Sequence, residues 1–236
     1  MDLSQLIVLQ FIAYLLTEFN FRPDKKSEEK TNLGFKSKFL KWHILIAFIL
    51  SWSLSFQLNF IFPAIAIAFT YWLTDGLKKY ISNHDNLNKY AFFSVQTVHL
   101  ILIFSIVLLF DKYFEIKTLI NVTISIKHLL IIAGYIICTK PANTIIKEVI
   151  MAFDISVNNG VNDDLPNAGK LIGIIERFLV LTFIILNQFD AVGFLIAAKS
   201  ILRFKDDNTL KTEYVLIGTM LSFGIAIASG LLINLT

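Results

Sequence analysis

The sequence predicts an all-α polytopic membrane protein, with seven or eight transmembrane segments and an interfacial amphipathic helix. Three observations predict it. Of the 236 residues, 56% are hydrophobic and only 17% are charged, whereas soluble domains run at about 45–50% and about 25%. Mean hydropathy is +0.67. The apolar residues also gather into runs near the roughly 20 residues that a bilayer core of about 30 Å requires. Backbone groups in lipid must be bonded within their own segment, which selects helices, and the alternating polarity of a barrel is missing. The net charge of +3 is too small to indicate nucleic acid as a partner. The single cysteine, Cys138, excludes a disulfide scaffold and reads as a small packing residue.

The segments follow from hydropathy, with bounds good to about three residues. The first runs over about 3–19, behind Asp2 and without the basic stretch of a signal peptide. The second and third follow closely, at about 41–58 and about 60–77. The fourth covers about 90–110, and the fifth about 126–139, stopping before Pro141. From Pro141 to Ile155 the pattern changes. Ile145, Ile146, Val149, Ile150 and Phe153 share one face, with Lys147, Glu148 and Asp154 elsewhere. This suits an amphipathic helix lying at the cytoplasmic interface. The polar run from Asn158 to Asp164 is a loop. A further segment spans about 169–187, a short one about 190–203, and the last about 213–235. Three regions result: a membrane half over 1–139, an interfacial helix and loop over 140–167, and a three-segment bundle over 168–236.

Lys and Arg orient the chain, since cytoplasmic loops carry the excess. Sixteen of the 21 fall in loops on one side, Arg22 among them, and only Lys112, Lys117 and Lys127 on the other. With the basic side cytoplasmic, both termini face away from the cytoplasm, and a bacterial inner membrane is the expected location.

Ionisable side chains within membrane segments are costly and mark functional sites. Here they are Glu18, His43, Asp75, His99, Glu176, Arg177 and Lys199, all toward the cytoplasmic ends. The pattern implies a polar cavity open on that side, although Glu18, His43, Asp75 and Lys199 would also be tolerated at headgroup level. Tyr14 and Glu18 are four apart, as are Tyr71 and Asp75, and Lys199 and Arg203; Gln96 and His99 are three apart. Each pair shares a helix face. Small-residue steps, Gly169 to Gly173, Gly193 to Ala197 and Gly224 to Ala228, predict close helix contacts.

Several stretches carry a family resemblance. They are Tyr14-Leu-Leu-Thr-Glu18-Phe19, Trp42-His43-Ile44-Leu45, Tyr71-Trp-Leu-Thr-Asp75 and Val95-Gln96-Thr-Val-His99. In the C-terminal half, Asn167 to Arg177, Gly193 to Phe204 and Glu213 to Thr219 fit more closely. With these, the chain resembles the bacterial membrane family called domain of unknown function 3307, over nearly its whole length. The resemblance implies a fold and no established activity. It also implies His, His and Asp at positions where this chain has Tyr14, Tyr71 and Val95. His and Asp on facing helices suit an intramembrane metal. Glu18, His43, Asp75 and His99 remain as a set of four for a divalent ion, the one cofactor the sequence suggests.

Three functions fit these features. One is binding or transport of an anionic small molecule or lipid, with Gln96, His99, Glu176, Arg177, Lys199 and Arg203 contacting it. A second is an intramembrane metal-dependent hydrolase, or a descendant without its metal. The third is a membrane interaction partner whose polar residues only stabilise the bundle. Membrane lipids are the expected partners, and the small size is compatible with a homo-oligomer. Whether the chain is an enzyme stays open at this point. No Walker loop, dinucleotide fingerprint, C-x-x-C, H-E-x-x-H or nucleophile elbow is found.

Overall fold

A computed structural model describes residues 1–22, 35, 37–82, 85–114, 124–153, 168–203 and 209–236; side chains are described within these except at 77–82, 85–89, 168, 202–203 and 209–214. The Asn158–Asp164 run and the Arg203 side chain therefore lie outside the described residues. The described residues are almost wholly helical and contain nine α-helices. These are α1 (Leu3–Leu15), α2 (Lys38–Ser55), α3 (Ile61–Ser82), α4 (Asp85–Tyr113), α5 (Ile126–Ile137), α6 (Lys140–Ala152), α7 (Ala168–Ile185), α8 (Phe189–Arg203) and α9 (Thr209–Asn234). Four stretches are long and apolar enough to cross a membrane: Leu3–Asn20, Leu58–Gly76, Tyr90–Tyr113 and Val215–Asn234. A fifth arises if α5 and α6, bent by 51° across their break, count as one span.

The chain forms two compact units, Met1–Leu129 and Leu130–Thr236. In the first, α2 packs on α3, α3 on α4, and α1 on both α2 and α4. Asp2 opens α1 with a capping box shared with Gln5. Phe56, in the left-handed region at φ 53°, stops α2, and a short 3₁₀ turn over Leu58–Phe60 leads into α3. Phe60 then packs edge-on against Phe110 at 5.0 Å. Gln10 on α1 and Ser51 on α2 exchange two hydrogen bonds, at 2.9 and 2.6 Å, deep in the apolar interior. Such reciprocal pairs hold helices together where lipid removes the hydrophobic drive to associate. Outward faces carry Phe62, Ile65 and Phe69 on α3 and Ile101 and Leu109 on α4, each more than half exposed. Such apolar bands mark a surface that meets another apolar phase.

In the second unit, α9 packs along α7 and touches α6, and α8 packs on α7. Cys138, Val180, Leu181, Ile184, Phe223, Ala226 and Ile233 form its core, so Cys138 is a packing residue. The expected small-residue steps are not where these helices close. A methyl group at Gly169, Gly193 or Gly224 would meet nothing within 4 Å among the described residues. Gly134 and Gly230 make the close approaches instead, against Ile233 and Ile184. Helix spacing identifies residues that permit contact, but not which faces meet.

Candidate functional site

The first unit gathers its polar residues at one end. The end of α1, the start of α2, the end of α3 and the start of α4 meet there, as four antiparallel helices in sequence require. Beyond α1 the chain widens into a π-helix over Leu16–Asn20, closed by the Phe21 N–H on the Leu16 carbonyl at 2.9 Å. Such wide turns recur at functional sites. This one buries three consecutive side chains, Thr17, Glu18 and Phe19.

The two oxygens of Glu18 face different partners. Oε1 pairs with the Arg22 guanidinium and accepts a hydrogen bond from Gln96 Nε2 at 2.9 Å. Gln96 is in turn aimed by the Tyr14 hydroxyl, which donates to its Oε1 at 2.5 Å. Glu18 Oε2 instead faces His43 Nε2 at 3.6 Å. His43 Nδ1 lies at the same distance, 3.6 Å, from Asp75 Oδ2. Glu18, His43 and Asp75 are 2%, 1% and 1% exposed. One ligand atom from each lies within 4.8 Å of the other two.

Two carboxylates and an imidazole, buried together, are a donor set that divalent zinc and related ions accept. Three protein ligands leave a coordination position open, as in catalytic zinc sites. Arg22 and Gln96, the latter aimed by Tyr14, hold Glu18 Oε1 and so turn Oε2 toward the imidazole, the kind of outer support that fixes a ligand's orientation.

His99, the fourth expected ligand, is not one of this group. Its Nε2 pairs with the Thr74 hydroxyl, and its ring lies 4.5 Å from that of Tyr71. Tyr71 is also 5.5 Å from the His43 ring, so it touches both imidazoles. Tyr71 and Asp75 thus share the face their spacing predicts. The buried Tyr71 hydroxyl has no hydrogen-bond partner among the described residues. It lines a void of about 10 Å³ with Gln10, Tyr14, Thr17 and Ser51, at the lower limit of space for one water.

The family described as protein of unknown function (DUF3307) matches residues 6–131. The chain belongs to this family. The DUF3307 match covers about half of the chain and takes in Tyr14, Glu18, His43, Asp75, Gln96 and His99. The C-terminal stretches that carried the resemblance lie outside it. The chain matches no curated protein and no solved structure.

Outside the DUF3307 match, the second unit holds its own polar centre. Arg177 is 1% exposed and donates three hydrogen bonds: Nε to the Cys138 carbonyl at 2.7 Å, one terminal nitrogen to Ser222 Oγ at 2.8 Å, and the other to Asn143 Oδ1 at 2.7 Å. Cys138 sits at the break between α5 and α6, where a carbonyl loses its helical partner because the helix stops. Arg177 caps it and ties α5, α6 and α9 to α7. Its neighbour Glu176 pairs with Lys199, whose ammonium also lies 5.4 Å from the Phe223 ring centre. Neither adjacent charge on α7 therefore needs to reach for lipid.

The expected ligand-binding set is divided by this fold. Gln96 and His99 belong to the first unit, and Glu176, Arg177 and Lys199 to the second. Sequence reasoning placed Arg22 in a cytoplasmic loop and missed its ion pair with Glu18. The spacing of four residues was the available signal. Thr74, Asn143 and Ser222 carried no signal, because short polar residues are common in membrane helices.

Proposed function

We propose that this DUF3307 chain is an intramembrane metal-dependent hydrolase, with Glu18, His43 and Asp75 as the ligands of one divalent ion. The observation that carries this reading is the approach of three buried donor atoms from three helices to within 4.8 Å. A bound ion of this kind polarises an ester or phosphate oxygen and supplies a nucleophilic water at neutral pH. Gln96 and Tyr14 position Glu18, and Arg22 adds a positive charge beside it, suited to an anionic substrate group. On this reading all eight apolar segments cross the membrane, the Glu18 end of the first unit faces the cytoplasm, and both termini face away from it. The test is release of product from phospholipid vesicles containing the purified protein. Activity is expected to need added zinc or manganese and to vanish in Asp75→Asn. Activity that is indifferent to chelator and to Asp75→Asn would overturn the reading.

A second reading is binding or transport of an anion or lipid headgroup. Arg177 favours it, being a buried cation whose three acceptors are neutral, placed at the bend between α5 and α6. Broken helices of this kind line the binding sites of secondary transporters. Radiolabelled phosphate uptake into vesicles, abolished by Arg177→Met, is its expected signature.

A further inference from the structure

The first unit has a groove as well as a polar end. It runs between α1 and α4, encloses about 430 Å³, and is lined by Ile7, Phe11 and Tyr14 on one side and Leu100, Phe104 and Val107 on the other. That volume lies within the range of ordinary small-molecule sites. The walls are apolar, and Gln10, which also borders the groove, spends its amide on Ser51.

The groove has a direction. Because α1 and α4 run antiparallel, it extends from the level of Ile7 and Val107 to that of Tyr14 and Leu100. One turn further along each helix stand Glu18 and Gln96, which are hydrogen-bonded to each other. Tyr14 belongs to both features, with its ring in the groove wall and its hydroxyl on Gln96. From Ile7 to Glu18 the helix rises about 16 Å, at about 1.5 Å per residue. An extended hydrocarbon chain lying in the groove would bring its polar end to the Glu18–Gln96 level.

We infer that the groove holds one acyl chain of a membrane lipid and delivers its headgroup linkage to the Glu18, His43 and Asp75 centre. The substrate class is then a lipid ester or phosphoester taken from the bilayer, rather than a water-soluble compound. The chemistry of this inference rests on the metal reading above; the seating of the chain does not. Both bordering helices belong to stretches long and apolar enough to cross a membrane, and a bilayer around them would itself be the source of the occupant.

Photolabelling tests this in the full-length protein. The vesicles contain phosphatidylethanolamine and phosphatidylglycerol, with a fraction of phosphatidylglycerol carrying a diazirine near the end of one acyl chain. Adducts are expected to concentrate on 7–11 and 100–107, above the density at Phe62 and Phe69 on the lipid-facing side of α3. Leu100→Trp, which fills the groove from a residue 37% exposed, is expected to lower groove adducts about tenfold, the ratio that about 1.4 kcal/mol of lost binding produces. Adducts at Phe62 and Phe69 should not change, which also reports that the variant has folded. Ile101→Trp at the same rim is the second variant. Groove adducts no denser than those at Phe62, or unchanged in both variants, would overturn the inference. Metal content separates the two readings. Groove adducts without bound metal remove only the hydrolase, and bound metal without groove adducts removes only the lipid chain.

Discussion

His43 and Glu18 approach each other to 3.6 Å, Nε2 to Oε2, and Asp75 Oδ2 lies at the same distance from Nδ1 of the same imidazole. An imidazole beside two buried carboxylates is a costly arrangement unless other charge in the site compensates it. Arg22 supplies one positive charge. On the reading proposed above, a divalent ion held by the three donors would add positive charge beside the two carboxylates, and the predictions for the first unit follow from that reading.

Gln96 is the support whose loss should be felt first. Gln96→Ala removes the 2.9 Å bond to Glu18 and the acceptor of the Tyr14 hydroxyl. Metal affinity is expected to fall by about tenfold or more, as it does when outer supports of metal ligands are removed. Isothermal titration with zinc measures it. An unchanged affinity would show that Glu18 does not depend on this aim.

Arg177 should matter chiefly for stability. Arg177→Lys keeps the charge but gathers its donors on one nitrogen, which cannot span the three acceptors that the planar guanidinium reaches from three nitrogens. The Cys138 carbonyl, Asn143 and Ser222 then compete for a single ammonium. The expected loss is about 3 kcal/mol, from buried polar groups left without partners at about 1–3 kcal/mol each. Thermal unfolding in detergent should show a clear drop in Tm. A drop no larger than that of Lys147→Ala, on an exposed face, would contradict the capping role.

Glycine substitutions should sort by packing rather than by motif. Gly230→Ala drives a methyl group onto Ile184, and overpacking of this kind costs about 1–3 kcal/mol. Gly193→Ala meets open space and should be neutral, or stabilising by up to about 1 kcal/mol through helix propensity. Parallel melting curves check both, and the reverse order would refute the packing described for α7 and α9.

The Glu176–Lys199 pair should be weak. Its side chains are 19% and 25% exposed, where ion pairs contribute about 0.2–1 kcal/mol. A double-mutant cycle with Glu176→Gln and Lys199→Met measures the coupling. A coupling of several kcal/mol would mean that the pair is far better shielded than its exposure indicates.

Helix positions were legible because apolar runs and Pro141 report directly on chain periodicity and its interruption. The run ending before Pro141 became α5, closed at Ile137, and the amphipathic pattern after it became α6. Same-face pairs were legible too. Tyr14 and Glu18, four apart, both reach Gln96. The convergence of Glu18, His43 and Asp75 was not legible, since spacing along a helix is silent about which helices face each other. The π-turn after Leu15, in which Thr17, Glu18 and Phe19 are buried, has no hydropathy signal. His99 looked equivalent to His43 in sequence. Its pairing with Thr74 depends on the packing of α3 against α4, which no local pattern encodes.

The central claim is that Glu18, His43 and Asp75 hold a metal ion. The direct measurement is metal content of the purified full-length protein by mass spectrometry, after loading with zinc or manganese and washing. The wild-type chain is expected to retain about one divalent ion, the stoichiometry of a single site with three protein ligands. His43→Ala and Asp75→Asn, each still monodisperse in detergent, are expected to retain none. A wild-type chain with no more metal than these variants would contradict the account.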